Sequence, residues 1–220
     1  MFDYVLRSIQ EGGWTLMPIY ISCVLGWYGV FKVFVSLFRP GTTIDRLQKQ
    51  SKDPERLSKA VSDLAKKNQK QKSHLPPPAK VLFALYDHRM TSKDFLFEIL
   101  DEQLKYMRPK LETGLQLIGV MATIAPLLGL LGTVIGMVGT FEVISYFGTS
   151  NPALMAGSIA TALVTTQNGI LVAMPLLIAH ILLKNRAERI EIETTKAAHQ
   201  LILYYGRKMD TNTEIQAEEV

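Results

Sequence analysis

The chain has 220 residues, of which 48% are hydrophobic and 20% are charged, and its formal net charge is +4 at pH 7. Its single cysteine, Cys23, excludes an intrachain disulfide and a thiolate metal site. The positive balance does not indicate nucleic-acid binding, because the basic residues alternate with acids along predicted helices and form no aromatic-lined patch.

The charged residues are distributed very unevenly. None lies in residues 12–31, 113–141 or 143–183. Uncharged apolar runs of about 18 residues or more indicate membrane spans, because one charge at a helix centre costs about 2.5 to 3.5 kcal/mol on insertion scales. The sequence therefore predicts an all-α integral membrane protein with transmembrane helices at 14–38, 113–144 and 153–183.

Residues 1–13 lack the basic start and the small-residue cleavage site of a secretory signal. Their apolar residues repeat at helical spacing, so we expect a short amphipathic helix on the periplasmic membrane surface. A disordered terminus is the alternative.

Orientation follows from the Lys and Arg residues, 17 of the 24 of which lie between Lys32 and Lys110. Three more, Lys184, Arg186 and Arg189, follow the third span, whereas the link 145–152 has none. The positive-inside rule then places segments 39–112 and 184–220 in the cytoplasm and the N-terminus and the link in the periplasm. Anionic lipid heads are the expected contact of these basic residues.

The cytoplasmic segment 39–112 is predicted to be helical. Pro76 to Pro78 should end one helix and start the next. From Ala79 a helix is expected to run on toward the second span, with Phe95, Ile99 and Tyr106 on one apolar stripe that packs against neighbouring helices of this chain or of a copy of it. After Arg207 the sequence is polar, and we expect a mobile tail there.

The second span is rich in small residues. Small residues let membrane helices approach closely, because lipid gives no hydrophobic drive for their association. Pro126 removes one backbone hydrogen bond and is expected to kink the helix. The expected packing positions are Gly129, Gly132, Gly136 and Gly139.

The third span carries a polar stripe. Ser158, Thr161, Thr165 and Asn168 fall on one side of a helix that turns about 100° per residue. A single membrane threonine can bond its own backbone, but several hydroxyls and amides together favour a bundle interior or a wet path. Thr133 and Thr140 on the second span can face the same path.

Asp, Glu, Lys and His are absent from 115–141 and 143–178, and Glu142 sits at the outer end of the second span. If ions move here, the titrating carboxylate should come from another chain. The four histidines are scattered, and no phosphate loop or nucleophile motif occurs, so we expect no catalytic residues, no metal site and no cofactor.

Two motifs carry a family resemblance. "IAPLLGLLGTVIGMVGTF" followed by "GSIATALVTTQNGILVAMPLLI" resembles the paired-helix signature of the MotA/TolQ/ExbB family, and the three spans fit its ExbB/TolQ branch. The resemblance implies a homo-oligomeric, pentameric ring in the bacterial inner membrane that encloses helices of an ExbD- or TolR-like subunit. That subunit would supply the ion-carrying aspartate, and ion flow would drive work in the periplasm or at the outer membrane.

The resemblance also assigns residues. Thr133 and Thr166 match the pore-facing threonines of the family, and Pro126 and Pro175 stand where its prolines stand. One position departs, because the family typically has a glutamate where this chain has Thr161. Threonine does not titrate, so the choice between proton and sodium is open. So is the choice between a TonB- or TolA-like energy transducer and another downstream partner.

The sequence is compatible with two functions. The first is an ion-driven motor subunit that couples ion flow to mechanical work. The second is a structural membrane scaffold in which the polar stripe only holds helices together.

Overall fold

The structure is a computed structural model that describes residues 16–38, 54–67, 76–148 and 152–218. The elements within these ranges are all helices, as predicted. In chain order they are α1 (Leu16–Phe38), α2 (Pro54–Lys67), α3 (Pro77–Asp87), α4 (Lys93–Glu112), α5 (Leu115–Phe147) and α6 (Pro152–Glu218).

Three of the helices, α1, α5 and α6, are long and apolar enough to cross a membrane. They overlap the three predicted spans, so the prediction of an all-helical chain with three helices suited to membrane spans is confirmed. Helix α5 continues to Phe147, three residues past the predicted end of the second span, and Gly148 caps it in the left-handed region with φ of 65°. The predicted surface helix at 1–13 lies outside the described residues.

The chain divides into two compact units. Of the described residues, the first unit comprises 16–34, 114–148 and 152–183, and the second comprises 35–38, 54–67, 76–113 and 184–218. The first unit therefore contains most of α1, α5 and the N-terminal part of α6.

The core of the first unit is a cluster of apolar side chains from all three of its helices. Larger residues of α1 and α6 fill the space beside alanines of α5, which lets three helices share one small core. The buried members are Leu16, Ile19, Ala122, Ala125, Val172, Ala173 and Leu176.

The second unit is built from α2, α3, α4 and the part of α6 that follows Leu183. Helix α3 begins at Pro77 with Pro76 in an extended conformation before it, as the proline run predicts. The apolar core draws on every helix of the unit. Its fully buried large side chains are Leu57, Val81, Leu85, Leu96, Met107, Leu201 and Ile202.

The expectation of one continuous helix from Ala79 to the second span is wrong. Helix α3 stops at Asp87. The Nδ1 atom of the next residue, His88, lies 2.9 Å from the carbonyl oxygen of Ala84. Ser92 is extended at the start of α4. A second break follows at Gly114. Its φ of 94° lies in the left-handed region, which residues other than glycine rarely adopt.

The predicted apolar stripe of α4 is only partly buried within this chain. Ile99 is buried, but Phe95 and Tyr106 are 42% and 61% exposed. The buried face instead centres on Leu96, Leu100 and Met107, roughly a third of a turn away at about 100° per residue. The two aromatic members of the stripe are thus exposed in the single chain, and its aliphatic member Ile99 is buried.

Within the second unit, an ion pair joins α4 to α6. The Nε of Arg108 donates to Oε1 of Glu191 at 2.5 Å, and the arginine side chain is largely exposed. Exposed pairs of this kind contribute about 0 to 1 kcal/mol, so apolar burial is the main source of stability here. Helix α6 itself continues to Glu218, whereas the sequence predicted a mobile tail after Arg207.

The two neighbouring residues Leu96 and Phe95 provide a test of which face of α4 is buried. Replacing Leu96 by Ala leaves a cavity in the core, and we expect the free energy of local opening of α4 to fall by about 2 to 5 kcal/mol. Phe95→Ala removes a partly exposed ring and should cost clearly less. Amide hydrogen exchange in detergent measures the free energy of local opening of each variant. Equal losses would contradict the assignment of Leu96 to the buried face of α4.

Candidate functional site

Three of the four predicted packing glycines bring α5 against α6. Gly129, Gly132 and Gly136 are buried. A Cβ added at Gly129 would stand 3.1 Å from the carbonyl oxygen of Thr165, and one at Gly136 would stand 2.6 Å from the Cβ of Ala162. One at Gly132 would collide with the Thr165 side chain. Main-chain and Cβ atoms of α6 thus occupy the space that side chains of α5 would need.

The fourth glycine differs from the other three. A Cβ at Gly139 would meet only the Ser158 hydroxyl, at 3.6 Å, which is an ordinary van der Waals contact. The contacts therefore run antiparallel, from Gly129 beside Thr165 to Gly139 beside Ser158, and they loosen toward the end of α5.

Gly169 of α6 belongs to the same contact, and the sequence reading did not single it out. A Cβ there would lie 2.8 Å from the carbonyl oxygen of Ala125 and 3.1 Å from the Cα of Gly129. Ala162 and Gly169 stand seven residues apart on α6 and are both buried. This spacing of small residues is the signal that could have located the α6 side of the contact.

The polar stripe of α6 lies largely against α5 of the same chain. Thr165 is 0% exposed, and its hydroxyl lies 2.8 Å from the carbonyl oxygen of Ala162 and 3.1 Å from that of Thr161. Asn168 is also buried and donates from Nδ2 to the carbonyl oxygen of Val164 at 2.8 Å. Both side chains hydrogen-bond to carbonyls of their own helix, which is how a polar side chain is accommodated at membrane depth.

The remaining hydroxyls follow the same pattern. Thr161 donates to the carbonyl of Gly157 at 3.1 Å, and buried Thr140 donates to that of Gly136 at 3.0 Å. Thr133 is half-buried and donates to the carbonyl of Leu130 at 2.6 Å. Whether ions or water reach any of these side chains in an assembly stays a prediction.

Thr166 is the exception, because its hydroxyl crosses between the helices. It donates to the carbonyl oxygen of Gly129 at 3.0 Å. The close approach of the two backbones at Gly129 makes this bond possible, since a side chain there would separate the helices. The contact thus joins a predicted pore threonine to a predicted packing glycine.

Both prolines of the site lie inside unbroken helices, Pro126 in α5 and Pro175 in α6. Each ring removes the amide donor that would serve the carbonyl four residues earlier, at Ala122 and at Leu171. The kink expected at these two positions stays a prediction.

Titratable groups stand at the margins of the site. Glu142 of α5 is exposed, and His180 of α6 packs against Gly119, where an added Cβ would lie 3.1 Å from its Cε1. Over the ranges that the structure describes, no three His, Cys, Asp or Glu residues come together as a metal site. The chemistry of the described hairpin is therefore hydrogen bonding and close packing.

The helices first define a class of protein. It is an all-helical chain with three helices suited to membrane spans, and two of them form a hairpin that packs through glycines and carries several hydroxyl groups. The model of the MotA/TolQ/ExbB proton channel family matches residues 46–196, about two thirds of the chain. The chain belongs to this family.

Several relatives are named for biopolymer transport. The chain is 30% identical over 187 residues to the biopolymer transport protein exbB1 of Vibrio cholerae, covering 82% of this chain and 79% of that one. It is 31% identical over 105 residues to the biopolymer transport protein ExbB of Salmonella typhimurium, covering 46% and 43%. A putative ExbB-like protein of Helicobacter pylori is 23% identical over 188 residues, covering 84% and 90%.

The glycine contact predicts a graded response to alanine. Gly136→Ala places a methyl group against the backbone of α6, and we expect it to destabilise the first unit by about 1 to 3 kcal/mol. Gly139→Ala is the matched control, because its methyl group meets only ordinary contact distances. Thermal unfolding in one detergent, followed by circular dichroism, compares them. A Gly136→Ala protein as stable as the control would contradict the helix contact.

The interhelical hydrogen bond predicts a smaller effect. Thr166→Val keeps the shape but removes the donor to Gly129, and bonds of this kind in membranes contribute about 0.6 kcal/mol, with a maximum near 1.7. Thr123→Val is the control, since that hydroxyl only bonds its own helix at Gly119. A loss of stability confined to Thr166→Val, seen in the same unfolding assay, is the expected result. Identical curves for the two variants would rule out a contribution of this bond.

Proposed function

We propose that the chain is the ring-forming subunit of an ion-driven, ExbB/TolQ-like transport motor of the bacterial inner membrane. Copies of it, five in the ring that the family resemblance implies, would surround the membrane helices of an ExbD- or TolR-like subunit. Ion flow through that assembly would drive mechanical work in the periplasm or at the outer membrane, directly or through a TonB- or TolA-like transducer.

The observation that carries this proposal is the chemistry of α5 and α6. Together they hold six threonines, an asparagine and two glutamines between 115 and 178, and Glu142, near the end of α5, is the single Asp, Glu, Lys or His residue in that range. A motor that uses an ion gradient needs a group that binds and releases the ion. In this proposal the partner helix supplies it as a carboxylate, and the chain supplies the polar and apolar surroundings.

Exposed surfaces of the first unit support an assembly of several chains. Large apolar side chains are exposed along α5 and α6, which suits both lipid and a neighbouring copy. The exposed members on α5 and α6 include Leu127, Leu131, Val134, Leu163, Ile170 and Leu171.

In the proposed topology the N-terminus and the α5–α6 link face the periplasm, and the second unit and the C-terminus lie in the cytoplasm. The distribution of Lys and Arg supports this orientation, since 17 of the 24 lie between Lys32 and Lys110.

Thr161 bears on the identity of the ion. Its hydroxyl offers an oxygen ligand but no exchangeable charge near neutral pH, and its proton goes to the carbonyl of Gly157. The ring therefore adds no acid of its own at this position. Sodium and the proton are both compatible with a carboxylate on the partner.

A structural scaffold is the second candidate, and one observation favours it. The hydroxyls of Thr140, Thr161 and Thr165 are already bonded to carbonyls of their own helices, and Thr166 bridges the two helices. Such bonds hold a hairpin together without any ion.

Ion flux distinguishes the two candidates. The chain would be reconstituted in liposomes with its co-encoded single-span partner, and flux measured for wild type, for Thr133→Ala combined with Thr166→Val, and for a partner without its membrane aspartate. We expect flux in the wild type and its loss in both variants, because the carboxylate carries the ion and the threonines line its path. Proton and sodium gradients applied separately identify the ion.

The control for this assay is Thr123→Val, since Thr123 is exposed and bonds only its own helix. It should conduct as the wild type does. A stable complex that conducts in no variant under either gradient would overturn the motor and favour the scaffold.

A further inference from the structure

The second unit contains a cavity that the proposed function does not use. Three elements enclose it: α2, the end of α3 with the turn that follows it, and the part of α6 near residue 205. Its volume is about 260 Å³, enough for a small organic anion but not for a folded partner. Three cationic side chains line it, those of Lys59, Arg89 and Lys208.

Arg89 is held in place by its neighbour Tyr86. The guanidinium carbon lies 4.2 Å from the centroid of the Tyr86 ring, and Nη1 donates to the Tyr86 carbonyl at 2.9 Å. A guanidinium carries five N–H donors in a fixed planar fork, and this carbonyl takes only one of them. A fork fixed in advance loses less conformational freedom when it binds an anion.

Hydroxyl groups also line the cavity. The Oγ of Ser58 and the phenolic oxygen of Tyr205 lie 3.3 Å apart and share one hydrogen bond. Burial raises the pKa of the Tyr205 phenol above its usual value, so the hydroxyl stays protonated at neutral pH. A neutral phenol and a serine hydroxyl can both donate to oxygen atoms of a ligand.

The charge balance of the cavity is one-sided. Its lining, among the residues that the structure describes, includes no aspartate or glutamate. Lys59 does pair with Glu55 at 3.1 Å, but both side chains are mostly exposed, and such a pair is weak and screened by salt. A concave surface lined by one sign of charge concentrates counter-ions of the other sign.

We propose that this cavity binds a phosphate-bearing small anion, with Arg89 and Lys208 as its charge-assisted donors and the hydroxyls of Ser58 and Tyr205 as neutral donors. Phosphate fits because its oxygens accept several hydrogen bonds at once and match the planar guanidinium fork. The tyrosine rings and Met90 add an apolar wall that suits an organic phosphate ester. The phosphate can belong to a soluble ester or to the headgroup of an anionic phospholipid. The proposal does not depend on ion conduction.

Binding is tested on the full chain in nanodiscs made only of phosphatidylcholine, by equilibrium dialysis against radiolabelled inorganic phosphate and against phenyl phosphate. Arg89→Gln and Lys208→Gln should each raise the Kd about tenfold, the effect of one charge-assisted hydrogen bond. Lys196→Gln is the matched control, because Lys196 is an exposed cation of α6 outside the cavity. Lys208 is itself exposed, so its replacement tests the site even if Arg89→Gln alters the fold.

A second arm identifies the source of the phosphate. Native mass spectrometry counts the phosphatidylglycerol retained by each variant purified from mixed nanodiscs. Saturable binding of the soluble probes that falls in both cavity variants supports a soluble ester. Phosphatidylglycerol retained by wild type and Lys196→Gln but lost in the cavity variants supports a headgroup. No binding in either arm, or an equal loss in Lys196→Gln, would overturn the proposal.

Discussion

The structure of the first unit depends on how closely the backbones of α5 and α6 approach each other. Between Gly129 and Gly136 the two helices stand so near that a single methyl group on α5 would meet backbone or Cβ atoms of α6. Lipid offers no hydrophobic drive for this association, so dispersion contacts and interhelical hydrogen bonds must provide it. The bond from Thr166 to the Gly129 carbonyl exists only because the glycine lets the helices meet.

That same contact explains the hydroxyls in these apolar helices. Thr140, Thr165 and Asn168 are buried, and each donates a hydrogen bond to a carbonyl of its own helix. The buried polar side chains of the hairpin are thus all uncharged ones, and Glu142 of α5 is exposed. In the proposed motor this hairpin would form the wall around a partner that carries the carboxylate.

The second unit is built around large buried aliphatic side chains rather than around close glycine contacts. Leu57, Leu85, Leu96 and Leu201 are fully buried, whereas the aromatic Phe95 and Tyr106 stay at the surface. The breaks at His88 and Gly114 divide what reads as one long helix into separate elements. The first break also places Arg89 beside Tyr86 and so creates one wall of the cationic cavity.

The sequence alone determined the helical class, the three apolar spans, the start of α3 after the proline run and the family. These follow from properties that are local in the chain, such as the absence of charge over a membrane's thickness or the fixed φ of proline. The small-residue face of α5 was also readable from its glycines. Tertiary structure decided the rest: the stripe of α4 that is buried, the pairing of Gly169 with Ala125, the Thr166 bond across the hairpin, and the meeting of Lys59, Arg89 and Lys208. Each of these joins residues that are far apart in sequence or depends on which helix lies opposite, and periodicity along one helix carries no information about its neighbour.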